Sequence, residues 1–73
     1  MKVSFTEFQD IIRECLDDYE ISIDLDQDLD EIFWDSLAAL SFMSIVDERY
    51  QILATAEAME ASTKVQHLFE IMS

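Results

Sequence analysis

The sequence predicts an all-α fold: a small four-helix bundle with three main helices, one short helix and a long first loop. Three observations predict it. Apolar residues recur at three- and four-residue steps in separated segments, which is the helical period. Two of those segments open on Ser or Thr with Glu or Gln three residues on, the capping-box pattern. The one stretch with strand-like alternation, Ile21, Ile23 and Leu25, has no second strand to pair with.

The elements follow in order. Ser4-Phe5-Thr6-Glu7 opens a helix of about residues 4–19, with Phe5, Phe8, Ile11, Ile12, Cys15, Leu16 and Tyr19 on its apolar stripe. Periodicity fails over residues 20–35, which read as an ordered loop pinned by Ile23, Leu25, Leu29 and Ile32. So long a connection in so small a domain has a function or a packing role. Asp35 caps a second helix over 36–50, a short helix is expected at about 56–60, and Thr63-Lys64-Val65-Gln66 opens the last, over 64–72. Val65, Leu68, Phe69 and Met72 lie on or near one face of that last helix. Residues 1–73 form a single domain, near the lower size limit for folding alone.

Composition restricts the function classes. Half of the residues are hydrophobic, which argues for a packed core, and no apolar run approaches the ~18 residues of a membrane span. Seventeen acids against four bases give a net charge of −13, with no Lys or Arg between Arg13 and Arg49. Nucleic acid, which demands a basic footprint, is therefore not an expected partner. Proteins with basic patches are, because the field steers them in. No signal-peptide pattern opens the chain, so a cytoplasmic location is expected; a monomer is the expected state. The single cysteine, Cys15, is read as a core thiol.

An enzyme is not expected. A nucleophilic serine needs a base within hydrogen-bond reach, and the only histidine, His67, lies on the last helix as a surface or partly packed residue. Nor is a specific metal site expected. Asp24, Asp26 and Asp28 occupy the first, third and fifth positions of a calcium-loop pattern, but Leu29 stands where the turn wants Gly and Asp35 where it wants Glu. Asp24, Asp26, Asp28, Asp30 and Glu31 then leave two readings, weak divalent binding or a solvated acidic loop.

Ser36 is the chemical centre of interest. At the first turn of a helix, unpaired N–H groups and the macrodipole favour an anion, so a phosphate ester there is electrostatically accommodated. Asp35-Ser36 alone reads as a helix cap. The neighbourhood adds to that reading. At 100° per residue Ala39, Phe42, Met43, Val46 and Tyr50 form a core face, while Leu37, Leu40 and Ser44 lie opposite, flanked by Ser41, Asp47 and Glu48. An apolar patch with an acidic rim is more than a cap needs; it is a candidate docking surface.

Asp35-Ser36-Leu37 resembles the attachment motif of acyl carrier proteins, and the resemblance extends over nearly the whole chain, including Leu40 through Tyr50, Tyr50-Gln51-Ile52 and Thr63-Lys64-Val65. It implies that Ser36 bears 4′-phosphopantetheine, transferred from coenzyme A by a phosphopantetheinyl transferase, with Asp35 and Leu37 completing the attachment site. The arm would hold acyl intermediates as thioesters for acyl-transferring or chain-modifying enzymes in fatty acid, polyketide or related specialised biosynthesis. Partners would read Leu37, Leu40, Asp47 and Glu48, and the cargo would shelter among Phe42, Met43, Val46, Ile52, Met59, Leu68 and Ile71. Phe33 stands where the family usually has Gly, Trp34 follows it, and Ser41, Ser44 and Ser62 replace usual acidic or apolar residues. These departures point to a specialised carrier. A peptidyl or aminoacyl carrier and an unmodified acidic helical adaptor are the alternatives.

Overall fold

A computed structural model describes residues 3–72 as an all-α bundle. Its helices are α1 (Phe5–Leu16), α2 (Ser36–Tyr50), α3 (Ala56–Ala61) and α4 (Val65–Met72), with a 3-10 turn at Leu29–Ile32 inside the first connection. Among the described residues no helix is long and apolar enough to cross a membrane.

The Ser4 hydroxyl accepts the Glu7 N–H at 3.1 Å and so caps α1 as expected. The Glu7 carboxylate bonds the Ser4 hydroxyl at 3.2 Å and accepts the Tyr50 hydroxyl at 3.1 Å, tying α1 to α2. The helix ends three residues before the expected Tyr19. Asp17 adopts the left-handed conformation (φ 54°, ψ 40°), and the Asp17 and Asp18 N–H groups close back on Glu14 and Arg13 carbonyls. Tyr19 thereby leaves the apolar stripe and is 68% exposed. Its spacing matched the period, but Asp tolerates the left-handed cap that stops the helix two residues earlier.

The long connection is held by its backbone. Gln9 Nε2 donates to the Ile23 carbonyl and Arg13 Nε to the Ile21 carbonyl, each at 2.9 Å. Ile23, Leu29 and Ile32 are buried and pin the loop as expected, whereas Leu25 is exposed and contributes through its carbonyl instead. That carbonyl accepts the Gln66 N–H at 3.1 Å, the Gln27 carbonyl accepts the Val65 N–H at 3.0 Å, and the Leu29 N–H donates to Thr63 O at 2.9 Å. An isolated antiparallel bridge joins Asp28 to Lys64.

The loop therefore supplies the acceptors that the start of α4 needs. This changes the capping expected at Thr63–Gln66, because the Gln66 N–H is already taken by Leu25. His67 Nδ1 instead accepts the Thr63 and Lys64 N–H groups at 3.0 and 3.2 Å. His67 is half-buried, and it holds the entry to its own helix.

All four helices and the loop meet in one core, whose largest fully buried side chains include Phe8, Ile12, Phe42, Val46, Leu68 and Met72. Phe5, Phe8 and Phe69 pack ring on ring beside it, with Phe8 and Phe69 centroids 5.0 Å apart. Each such side chain removed from water contributes roughly 1.5–3 kcal/mol, which a chain of this size needs to offset its ordering entropy.

Candidate functional site at the start of α2

The 3-10 turn delivers the chain to α2. Its Leu29 and Ile32 are buried, so residue 33 must turn outward, and Phe33 does so in the left-handed region (φ 60°, ψ 35°). The Trp34 N–H returns to the Leu29 carbonyl at 3.1 Å, and the indole meets Phe42 edge-on at 6.0 Å. Asp35 is then extended (φ −130°, ψ −175°), and its Oδ1 accepts the Ala38 N–H at 2.8 Å. The Asp35 carbonyl accepts the first helical bond, from Ala39 N–H at 3.0 Å.

Ser36 is thus the first residue of α2, and it is exposed. Asp35 caps the Ala38 N–H, while the Ser36 and Leu37 N–H groups have no acceptor within the helix by its geometry. The positive end of the helix lies at a solvent-facing hydroxyl.

The exposed face of α2 falls where the 100° projection puts it, whereas the core face is rotated toward Ala38, leaving Ala39, Met43 and Tyr50 half-buried. Ala38, Phe42 and Val46 are buried; Leu37 is 73% and Leu40 61% exposed, with Ser44, Asp47 and Glu48 exposed beside them. Leu37, Leu40, Asp47 and Glu48 therefore share one solvent-facing strip. Ser41 is half-buried at its edge.

Two clefts flank the serine. One, of about 290 Å³, is lined by Ser36 itself with Trp34, Asp35, Ala39, Met59 and Glu60, between α2 and α3. The other, of about 320 Å³, lies between the end of α1 and the start of α2. Of the expected cargo lining, Phe42, Val46 and Leu68 are fully buried, and Met43, Ile52, Met59 and Ile71 pack partly buried against the same core. Only Met59 of that set also lines the cleft beside Ser36. The Ser62 hydroxyl, at the end of α3, donates to the Ala58 carbonyl at 2.8 Å.

Cys15 stands in the wall of the α1-side cleft as a half-buried free thiol. Burial, reinforced by the negative charge of Glu14, pushes it up to about 12. It is therefore a neutral, poorly nucleophilic thiol at physiological pH.

The acidic loop does not assemble a metal centre. Glu31 Oε2 accepts the Asp28 N–H at 2.8 Å, and Asp28 Oδ1 pairs with Lys64 Nζ at 3.0 Å, a contact that raises the lysine above its ordinary value. Asp24 gives its N–H to the Gln27 side-chain oxygen at 2.8 Å. Among the described residues no three His, Cys, Asp or Glu side chains are placed to hold a metal ion, so Asp24, Asp26, Asp28, Asp30 and Glu31 remain separate. Of the alternating aspartates, Asp28 is the one whose carboxylate Lys64 engages, and Glu31 beside them is turned back onto the Asp28 N–H.

The sequence reading did not find three contacts near this region: Asp28–Lys64, Glu14–Arg49, and the His67 cap. The first two join residues on different elements, which no periodicity describes, while the His67 cap is local and lies within four residues of the groups it satisfies. The left-handed Phe33 did carry a signal. Each helix end in a chain with neither Gly nor Pro must find its cap elsewhere. No family model, curated protein or solved structure matches this chain.

Proposed function

We propose that this protein is an acyl carrier whose attachment residue is Ser36. The observation that supports this most strongly is the placement of one exposed serine at the positive end of α2, between a capping Asp35 and an exposed Leu37, beside a part-apolar cleft. The residues fit a phosphodiester-linked arm: the hydroxyl is accessible, and the helix start favours the anion. When attached from coenzyme A, 4′-phosphopantetheine supplies the thiol on which acyl groups ride as thioesters.

The remaining roles fall to the chain itself. Asp35 fixes the helix start and presents a carboxylate to the transferase. Leu37 and Leu40 give partner enzymes an apolar contact, and Asp47 and Glu48 steer basic patches toward it, which favours fast and reversible encounters. Trp34 and Met59 wall the cleft that the arm or its cargo would meet first. Pathway enzymes of fatty acid, polyketide or related biosynthesis are the partner class, and the cytoplasm is the proposed location.

The second reading is an unmodified acidic adaptor. It is favoured by the exposed Leu37, Leu40 and Phe33, which can dock a partner without any arm. Incubation with coenzyme A and a broad-specificity transferase separates the two. The carrier gains one arm, on Ser36; the adaptor gains none. A peptidyl or aminoacyl carrier would also gain the arm, and differs in which activated cargo its partners load.

A further inference from the structure

We propose that the cleft between the end of α1 and the start of α2 seats an apolar side chain of a partner protein, one flanked by lysine or arginine. The inference rests on the docking part of the reading above and is independent of Ser36 modification.

The floor of this cleft is apolar, formed by Leu16, Ile21, Ile32 and Ala38. Two of its lining residues stand out into solvent, Phe33 at 83% exposure and Leu37 at 73%. Three carboxylates, Asp17, Asp18 and Asp35, also line it, with Cys15 and Ser41 between, and no base does. Apolar floor, projecting hydrophobes and acidic rim form one continuous surface.

Phe33 is the informative residue. Its backbone is left-handed, where glycine carries no Cβ penalty and a phenylalanine does. Its ring is exposed, so it contributes almost nothing to the core. A residue that is unfavourable for the backbone and idle in the packing marks a surface that meets something else.

Charge selects the occupant. A second copy would bring another chain of net charge −13 against three carboxylates, and an anionic amphiphile would meet the same repulsion. A partner segment with one apolar anchor between cationic side chains satisfies both the floor and the rim.

The test uses the Ser36→Ala variant of residues 1–73, which cannot carry an arm there, so that failure of the carrier reading leaves the result intact. It is titrated with an amphipathic Leu/Lys helical peptide, followed by backbone amide shifts. A second peptide has Ser for Leu at unchanged charge. Shifts should saturate with a single Kd at Leu16–Asp18, Ile21, Phe33, Leu37 and Ala38, and the Ser-substituted peptide should bind at least about tenfold more weakly. Adding Phe33→Ser should weaken the first peptide by at least about tenfold, and Leu53→Ser, at an equally exposed leucine outside the cleft, should not. Phe33→Gly serves as the second variant, because it should bind weakly while melting higher than its parent. Shifts spread over the whole acidic surface, equal affinity of the two peptides, or a Phe33→Gly chain that binds like its parent would each overturn the proposal. So would the same cleft shifts on raising protein concentration alone, which would make a second copy the occupant.

Discussion

The Arg49 guanidinium grips the Glu14 carboxylate with both branches, Nη1 to Oε2 at 2.9 Å and Nη2 to Oε1 at 2.8 Å, joining the last turn of α2 to α1. Among the described residues every base is so engaged, Arg13 with Asp10 and Lys64 with Asp28. In a chain with four bases, these pairs set where the acidic surface is locally neutralised.

That pairing has a pH signature. The Arg49 hydrogen bonds hold Glu14 below the usual carboxylate range. A depressed carboxylate stabilises the fold above its unfolded value, about 4.3, and the contribution is lost as pH falls through the folded value. Wild type should therefore melt slightly above Arg49→Met by a steady margin near neutral pH. The margin should close as pH falls below about 4. The pair is solvent-exposed, so the margin is small; a margin independent of pH would detach it from Glu14.

Left-handed caps at non-glycine residues give a second prediction. Asp17, Phe33 and Gln51 all have positive φ, at 54°, 60° and 54°. Replacing Phe33 or Gln51 with Gly should stabilise the fold by roughly 0.5–1 kcal/mol, the left-handed penalty less the added chain entropy. In a domain this small that is a rise of several degrees in melting temperature. Asp17→Gly should gain less, since Asp tolerates the conformation. Thermal melts of the three single variants give the ranking.

Cys15 should behave as a buried acid. With its thiol pushed up to about 12, folding stability is full below the unfolded thiol value, about 8.5, and is lost as pH rises from there toward the folded value. The stability difference between wild type and Cys15→Ala should shrink across that alkaline range. Tyr50, also raised by burial and its Glu7 bond, requires Tyr50→Phe as a parallel control. Alkylation of the native thiol near pH 8 should be far slower than that of the unfolded chain.

Salt should stabilise the protein without discriminating among cations. Twelve acids lie from Glu14 to Glu48 with no base among them, and exposed repulsion is screened within about 8–10 Å at moderate ionic strength. Because the loop carboxylates do not converge, NaCl, MgCl₂ and CaCl₂ at matched ionic strength should raise the melting temperature equally. An excess with either divalent ion would restore the weak metal site that the alternating aspartates suggested.

Which of these features were legible in the sequence follows from their range. The α2 faces were, because a helix repeats its geometry and Leu37, Leu40, Phe42 and Val46 report it directly. Asp35 as the cap was, because capping is decided within three residues. The end of α1 was not: Tyr19 fits the period, and only the backbone of Asp17 shows that the helix has stopped. The loop path was least legible. Its buried anchors Ile23, Leu29 and Ile32 were legible, but its pairing with the start of α4 comes from Leu25, Gln27 and Thr63 carbonyls, which every residue type carries, so no side-chain pattern records it. Lys64 could be read as a helix-start residue, yet its carboxylate partner, Asp28, lies on that loop, 36 residues earlier in the chain.

The most direct measurement is intact mass after incubation with coenzyme A and a broad-specificity phosphopantetheinyl transferase, on wild type, Ser36→Ala, Ser41→Ala and Ser44→Ala. If Ser36 at the start of α2 is the attachment residue, wild type, Ser41→Ala and Ser44→Ala gain one phosphopantetheine each and Ser36→Ala gains none. An arm that survives Ser36→Ala, or a folded wild type that gains none while a known carrier in the same tube does, would contradict it.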